Sequence, residues 1–347
     1  MIQQRPILKA ILILLVFAVL ACSGGKKSGA EASTKVETKP AKVEINAGAK
    51  LLLSTLNEMG DYVNSRNFPS LIKASAVYDE LDGNNLIVDV RGPNTFASGH
   101  IKGAVNVDFT DIPDYFSNQI KPSEYDKIIV VCYSGQISSY TTSLLRLEGY
   151  NNVYSMRWGM SGWNRDFARD AWLSNISSDY QDKVETNDNP EAPAGDFPKL
   201  NEDGNNGKQL LQNRLKTLFA EGYSDALITA DEVFENQANL YIINYERKDK
   251  YESGHIPGAV RYKPGGTLGI VSEMQTIPDN KEVVVYCNTG QNSGFVTAYL
   301  RLFGYNAKSM TFGNNAFMHD KMAQEKSTLS WVTFSDEEIE DFPYVKN

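Results

Sequence analysis

The segment IIVVCYSGQISSY, from Ile128 to Tyr140, contains the pattern from which the fold class is predicted. A run of β-branched residues ends at a cysteine and continues into a short loop of serine, glycine and glutamine. The segment VVVYCNTGQNSGF, from Val283 to Phe295, repeats this pattern 155 positions later. Short, continuous apolar runs are typical of strands that are buried on both faces of a parallel sheet. The sequence therefore predicts an α/β fold in which each cysteine lies at the carboxyl end of a strand, where α/β proteins bind ligands.

The same offset relates many other residues, so the chain contains an internal duplication. It relates His100 to His255 and Gly149 to Gly304, and the stretch SGHIKGAV returns as SGHIPGAV. A period this long indicates two copies of one domain rather than a solenoid. We predict a signal peptide over 1–22, a flexible tether over 23–49, domain one over 50–176, an acidic linker over 177–207 and domain two over 208–347.

Both predicted domains have the same order of elements. An apolar pattern of helical spacing opens each one, KLLLSTLNEMGDYVN in the first and KQLLQNRLKTLFAEG in the second. In the first copy we then expect strands over Asn85–Val90 and Lys127–Cys132, and a helix over Ser138–Glu148 that ends at Gly149. The prediction for each copy is a mainly parallel sheet flanked by helices.

The composition excludes one large class of partners. The 347 residues are 41% apolar and 22% charged, which suits a globular protein of two domains. The net charge is -9 and the isoelectric point is near 5.0. Because nucleic-acid binding needs a clustered basic surface, we predict no nucleic-acid partner.

The first 22 residues have the features of an export signal. A short basic start precedes an apolar run from Ala10 to Leu20, followed by Ala21 and Cys22. This ending resembles the lipobox of bacterial lipoproteins, which implies a lipid on Cys22 that anchors the chain in the cell envelope, facing the periplasm or in the outer membrane. The alternatives are an uncleaved signal anchor and a soluble secreted protein.

The position of the two later cysteines indicates reactivity. Each ends a predicted strand and precedes a loop that leads into the N-terminus of a helix. Backbone N–H groups and the helix dipole favour an anion there, so a thiol in this position should have a lowered pKa and act as a nucleophile without a histidine base. The alternative is a small, unreactive residue that is buried at the end of a strand. The recurrence of Cys-x-x-Gly-Gln-x-Ser in both copies favours the reactive interpretation.

Both repeats resemble rhodanese domains, a family of sulfurtransferases. In the first copy the resemblance rests on VDVRGPNTFASGHIKGAVNV (Val88 to Val107), CYSGQIS (Cys132 to Ser138), LRLEGYNNV and RWGMSGW (Arg157 to Trp163). It implies that the loop cysteine accepts sulfane sulfur from a small donor as a persulfide and passes it to a thiol or another nucleophile. By matching position, the catalytic residues would be Cys132 and Cys287. The substrate-binding loops would consist of Tyr133, Ser134, Gly135, Gln136, Ile137 and Ser138, and of Asn288, Thr289, Gly290, Gln291, Asn292 and Ser293.

Two departures from the family pattern affect the expected activity. Many active members carry Arg or Lys five residues after the cysteine, where this chain has Ile137 and Asn292. Thiosulfate is therefore a disfavoured donor, and a persulfidic or neutral donor is favoured. In the second copy Asn244-Tyr245-Glu246 replaces Asp89-Val90-Arg91, so we expect this copy to use different internal bonds and to be less active.

Other chemistries lack the residues that they need. Related phosphatases carry Arg six places after the cysteine, where this chain has Ser138 and Ser293. No metal or cofactor is expected, because each copy offers one histidine, His100 or His255, at a wide separation from its cysteine. Their GHI setting resembles a structural turn of the family. His319 has no counterpart in the other copy and is expected at the surface.

Two hypotheses of function follow. The first is an envelope-anchored sulfurtransferase or sulfur carrier that uses a small sulfur donor and a thiol acceptor. The second is a catalytically silent rhodanese-like binding module at the envelope, with an unidentified protein partner. The missing loop cations favour the second hypothesis, and the two complete cysteine loops favour the first. A disulfide between Cys132 and Cys287 is a further alternative in an oxidising compartment, and it needs Cα atoms within about 7 Å of each other.

Overall fold

The structure is a computed structural model that describes residues 43–269 and 273–347. The predicted signal peptide, Cys22 and most of the predicted tether lie outside the described residues. From Val43 onward the chain forms one compact unit. Within the described ranges, each helix is too short or too polar to cross a bilayer.

The first repeat contains one parallel sheet. Its elements are α1 (Ala47–Glu58), β1 (Leu71–Ile72), α2 (Ala74–Asp79), β2 (Asn85–Asp89), α3 (Pro93–Ser98), β3 (Val105–Asn106), α4 (Ile112–Asp114), β4 (Lys127–Val131), α5 (Gln136–Glu148), β5 (Val153–Met156), α6 (Met160–Trp163) and α7 (Arg165–Ala168). The strands pair in parallel in the order β1-β5-β4-β2-β3. The apolar side chains of the central strand β4 are fully buried, as its continuous apolar sequence predicts.

The second repeat has the same architecture. Its elements are α8 (Gly207–Glu221), β6 (Leu227–Ile228), α9 (Ala230–Asn236), β7 (Leu240–Asn244), α10 (Lys248–Ser253), β8 (Val260–Arg261), β9 (Glu282–Tyr286), α11 (Gln291–Leu302), β10 (Ala307–Met310) and α12 (His319–Leu329). Its strands also pair in parallel, in the order β6-β10-β9-β7-β8. The predicted pair of α/β domains, each with a parallel sheet flanked by helices, is therefore confirmed.

The two repeats share a core and meet through the helices that follow the cysteine loops. Helix α5 packs along helix α11, and Ser143 Oγ donates to the carbonyl oxygen of Phe295 at 2.9 Å. Gly294 permits this close approach, since a Cβ atom there would lie 3.0 Å from the carbonyl oxygen of Gln136. One cluster of buried apolar residues draws on both repeats. Both cysteine loops consequently lie at the interface between the repeats.

Two extended segments are exchanged between the repeats. The linker strap, residues 177–189, follows the first repeat but pairs with the second, where Glu185 and His255 form an antiparallel bridge with two N–O distances of 2.9 Å. The C-terminal strap, residues 336–347, follows the second repeat but pairs with the first, where Val345 and His100 form an antiparallel bridge of the same type. Each repeat is thus completed by residues that follow the other one.

Candidate active site

Cys132 lies directly after β4, at the start of the loop that leads into α5. Its Sγ accepts hydrogen bonds from the backbone N–H of Gly135 at 3.2 Å and from that of Ser138 at 3.3 Å. Gly135 has a φ of 85°, in the left-handed region that favours glycine, and this conformation turns its N–H toward the sulfur. Residues 132–138 therefore form the first cradle, a loop whose backbone donors and helix N-terminus face the thiol.

The turn after β5 holds the first cradle in place. The N–H of Met160 donates to the carbonyl of Cys132 at 2.9 Å, and the N–H of Ser161 donates to that of Tyr133 at 3.1 Å. Gly159, with a φ of 58°, lies against the loop, since a Cβ atom there would lie 2.4 Å from the Cys132 carbonyl oxygen. These contacts satisfy the loop carbonyls on the side away from the sulfur, so the N–H groups are held toward it.

A cleft of about 630 Å³ opens beside the first cradle, at the interface between the repeats. This volume is within the range of small-molecule sites. Its lining includes four predicted loop residues (Tyr133, Ser134, Gln136 and Ile137), three residues of the second repeat (Leu227, Thr311 and Phe312) and Tyr344 of the C-terminal strap. Cys132 itself is only 1% exposed. The structure thus brings the predicted loop together with groups from both repeats, which the sequence did not predict.

The charged groups of the cleft do not favour a small anion. Arg91 is the one cation among the described residues that line it, and its Nη2 lies 2.7 Å from Asp89 Oδ2 with both side chains buried. Asp166 and Asp170 also line the cleft, and Asp166 accepts a hydrogen bond from the Tyr344 hydroxyl at 2.8 Å. Because Arg91 is already neutralised, the remaining carboxylates make this wall acidic.

In the second repeat, Cys287 occupies the equivalent position in the second cradle, residues 287–293. Its Sγ accepts the N–H of Ser293 at 3.3 Å, and the residue is 1% exposed. Burial and the nearby carboxyl group of Glu246 raise the pKa of the Cys287 thiol, although backbone N–H groups of the loop oppose this change. The expectation of a lowered pKa is therefore wrong for Cys287, because desolvation outweighs the cradle.

Glu246 gives the second repeat internal bonds that differ from those of the first. Its Oε1 accepts the N–H of Asn288 at 2.5 Å, and its Oε2 lies 3.5 Å from Lys250 Nζ, with both side chains buried. Burial raises the pKa of Glu246 itself. The prediction that the Asn244-Tyr245-Glu246 motif changes the internal bonds is confirmed, and the change places a carboxyl group beside the loop that carries Cys287.

The histidines have structural surroundings. The Nδ1 atoms of His100 and His255 each lie 2.8 Å from the carbonyl oxygen four residues earlier, and both rings stack on the aromatic ring of that residue. His319 is partly buried, since its side chain is 17% exposed and its Nε2 lies 3.0 Å from the carbonyl oxygen of Phe334. In the described part of the chain, no group of three His, Cys, Asp or Glu side chains could hold a metal ion.

The other predicted loop residues are mostly enclosed. Tyr133 is 39% exposed and donates its hydroxyl to Thr95 Oγ1 at 2.9 Å. In the second cradle, Asn292 is partly buried, and the buried residues are Asn288, Thr289, Gly290, Gln291 and Ser293. Cys132 and Cys287 are both free thiols. Sequence reasoning assigned no role to Gly159, although it lies within the quoted motif RWGMSGW, and it missed Asp170 because only the tertiary fold brings that residue to the cleft.

Comparisons with known proteins find relatives of both repeats. A family model described as a rhodanese-like domain matches residues 73–166 and 229–320. Thiosulfate sulfurtransferase GlpE of Stutzerimonas stutzeri is 35% identical over 86 residues, which cover 24% of this chain and 75% of that protein. The protein of the same name from Pseudoalteromonas translucida is 33% identical over 84 residues, covering 24% of this chain and 76% of its own. Among solved structures, a rhodanese-like domain protein from Staphylococcus aureus is 26% identical, with 26% of this chain and 87% of that chain covered and a TM-score of 0.24.

Proposed function

The chain belongs to the rhodanese-like family of sulfurtransferases, and on this premise we propose that it transfers sulfane sulfur through a persulfide on Cys132. The donor is a persulfidic or uncharged sulfur compound, and the acceptor is a thiol. The first repeat carries the reaction, and the second repeat supports it.

The observation that carries this proposal is the first cradle. Two backbone N–H groups lie 3.2 and 3.3 Å from Cys132 Sγ, at the N-terminus of a helix of 13 residues. Such donors stabilise the thiolate, which is the nucleophilic form of cysteine. They also suit the anion of a persulfide, whose negative charge lies on the outer sulfur, one S–S bond away from Cys132 Sγ.

The reaction consists of two exchanges at sulfur. The Cys132 thiolate attacks the terminal sulfur of a donor R–S–SH, the donor S–S bond breaks, and R–S⁻ leaves with the electron pair. Cys132 then carries Cys–S–SH. An acceptor thiolate attacks the outer sulfur, which becomes part of the acceptor persulfide, and Cys132 is released as the thiolate. No external oxidant or reductant is needed, because each S–S bond that forms replaces one that breaks.

The charges of the cleft support the choice of donor. Ile137 stands where many family members carry a cation, and Arg91 is engaged by Asp89. Asp166 and Asp170 line the same cleft and repel anions. The two GlpE proteins named above are thiosulfate sulfurtransferases, but a dianionic donor finds no free cation among the described residues at this cleft.

A catalytically silent binding module is the second candidate. The low exposure of both thiols favours it, since each cysteine is only 1% exposed. For the second repeat alone, the raised pKa of Cys287 and the adjacent Glu246 carboxyl group favour silence further. We therefore assign turnover to Cys132 and none to Cys287.

We also propose that a lipid on Cys22 anchors the chain in the bacterial cell envelope. The support is the apolar run that ends in Val19-Leu20-Ala21-Cys22. Partition of the full chain into detergent should be lost on Cys22→Ser. Equal partition of the Cys22→Ser variant would instead favour an uncleaved signal anchor.

The test of the function is sulfur transfer by the full chain from a small persulfide, mercaptopyruvate and thiosulfate in parallel. We expect transfer from the persulfide to exceed transfer from thiosulfate, to vanish in Cys132→Ser and to persist in Cys287→Ser. Absence of transfer from every donor in the wild-type chain would overturn the proposal and support the silent binding module.

A further inference from the structure

Two glutamines cross the interface between the repeats in a reciprocal way. Gln291 Oε1 accepts the backbone N–H of Trp158 at 3.0 Å, and Gln136 Oε1 accepts that of Phe312 at 2.7 Å. The exposed fractions of Gln291 and Gln136 are 1% and 4%. Burying an amide group costs free energy unless the group forms hydrogen bonds. The hydrogen bonds across the interface therefore stabilise these two side chains in their buried positions.

The Gln291 amide lies directly against the first cradle. A Cβ atom at Gly135 would lie 2.5 Å from Gln291 Oε1 and 2.9 Å from the Trp158 nitrogen. The hydrogen bond between Gln291 and Trp158 therefore passes beside the Gly135 backbone. The N–H of Gly135 is one of the two donors to Cys132 Sγ. A displacement of Gly135 would consequently lengthen a hydrogen bond to the thiol.

Trp158 provides a second connection to the same cysteine. Its φ of 66° is uncommon for a residue other than glycine, and the hydrogen bond to Gln291 holds its N–H in this conformation. Two residues later, the N–H of Met160 donates to the carbonyl of Cys132 at 2.9 Å. Gln291 thus stabilises both the glycine that faces the sulfur and the turn that binds the cysteine carbonyl.

From these contacts we propose that Gln291, a residue of the second repeat, is a positioning residue for the Cys132 thiolate of the first repeat. The inference rests on the proposed function, because it concerns the nucleophile of that reaction. It assigns the second cradle a role that does not depend on the reactivity of Cys287. The tandem arrangement is then a requirement of the first active site, since an isolated first repeat lacks this support.

The test compares the full chain with two variants of the same interface. Gln291→Met nearly preserves the side-chain volume but removes the acceptor. Ser143→Ala removes a different buried hydrogen bond between the repeats, from Ser143 Oγ to the Phe295 carbonyl, and serves as the matched control. The Cys132 thiolate is followed by its ultraviolet absorbance during a pH titration, as the difference from the same protein carrying Cys132→Ser.

We expect the acid dissociation constant of the Cys132 thiol, read from the titration curve, to fall about tenfold in Gln291→Met, the effect of weakening one charge-assisted hydrogen bond. In Ser143→Ala it should stay within about twofold of wild type, as for a neutral hydrogen bond remote from the thiol. Coincident titration curves for Gln291→Met and Ser143→Ala would overturn the proposal.

A second variant covers the case in which Gln291→Met does not fold. Gln291→Asn keeps an amide but is one methylene shorter, and we expect it to lose part of the thiolate fraction. A wild-type titration curve for Gln291→Asn, in the absence of a folded Gln291→Met, would overturn the positioning role. Because the titration needs no sulfur transfer, a drop in thiolate in a chain that transfers no sulfur would support the positioning role and refute only the proposed reaction.

Discussion

Replacement of Gly159 by alanine should abolish most sulfur transfer, whereas the matched replacement of Gly313, which reaches the first cradle only through the second, should cause a smaller loss. The two glycines occupy equivalent turns, with φ values of 58° and 55°. A Cβ atom at Gly159 would lie 2.4 Å from the Cys132 carbonyl oxygen, and one at Gly313 would lie 2.0 Å from that of Cys287. Since the contacted atoms belong to the backbone, neither loop can avoid the methyl group without deformation of its cradle.

The magnitude follows from two contributions. A left-handed backbone costs a residue other than glycine roughly 1–2 kcal/mol. Steric overlap with a tightly packed neighbour costs roughly 1–3 kcal/mol more. Each variant should therefore lose about 2–5 kcal/mol of unfolding free energy. In Gly159→Ala the displaced loop also misaligns the N–H donors to Cys132, which should lower kcat/KM by about a hundredfold.

The assay has two parts. Urea denaturation gives the unfolding free energy of each variant, and transfer from a small persulfide to a thiol gives kcat/KM under conditions in which both variants are folded. Similar losses of stability with unequal losses of transfer are expected. A Gly159→Ala variant with wild-type kcat/KM, or a Gly313→Ala variant that loses as much activity as Gly159→Ala, would contradict this prediction.

Three further predictions concern charged and titrating groups. Arg91→Met should lower the unfolding free energy by about 3–5 kcal/mol, because it leaves the buried Asp89 unpaired, and the double variant Asp89→Val, Arg91→Met should recover most of this loss in the same urea titration. Cys287→Ala should reduce the decline of stability as the pH rises above about 8.5, the ordinary pKa of a thiol. Because the pKa of Cys287 is raised in the folded state, the unfolded chain loses this proton first and is favoured as the pH rises. Denaturation at a series of pH values measures how the unfolding free energy changes with pH. Equal slopes of this dependence in the wild-type chain and in Cys287→Ala contradict the prediction. Asp170→Asn should raise the ratio of kcat/KM for thiosulfate to that for a small persulfide severalfold, since it removes a carboxylate that repels a dianion more strongly than a donor of lower charge, and an unchanged ratio would count against an acidic cleft wall.

The central elements of the fold could be predicted from the sequence because buried parallel strands leave continuous apolar runs. The strands expected over Asn85–Val90 and Lys127–Cys132 appear as Asn85–Asp89 and Lys127–Val131. The edge strands β1 and β3 have two residues each, too few for a recognisable pattern. The helix after Cys132 begins at Gln136, two residues before the predicted start. Gly135 precedes it in a left-handed conformation, and this turn places the next residue at the first helical position.

The cradle could be predicted, but its surroundings could not. The motif Cys-x-x-Gly-Gln-x-Ser is local, so its backbone geometry follows from neighbouring residues. The hydrogen bond between Gln291 and Trp158 joins residues 133 positions apart and depends on how the repeats pack. The raised pKa of Cys287 depends on burial of the thiol and on the nearby carboxyl group of Glu246, which an isolated sequence does not reveal. The exchange of straps between the repeats likewise has no local signal.

Mass spectrometry of the Cys132 peptide detects the proposed persulfide itself. The full chain is treated with a small persulfide, trapped by alkylation, digested and mapped. The peptide that contains Cys132 should gain the mass of one sulfur atom and lose it when a thiol acceptor is added, while the Cys287 peptide stays unmodified. An unmodified Cys132 peptide, or sulfur found on Cys287 alone, would contradict a persulfide reaction at the first cradle.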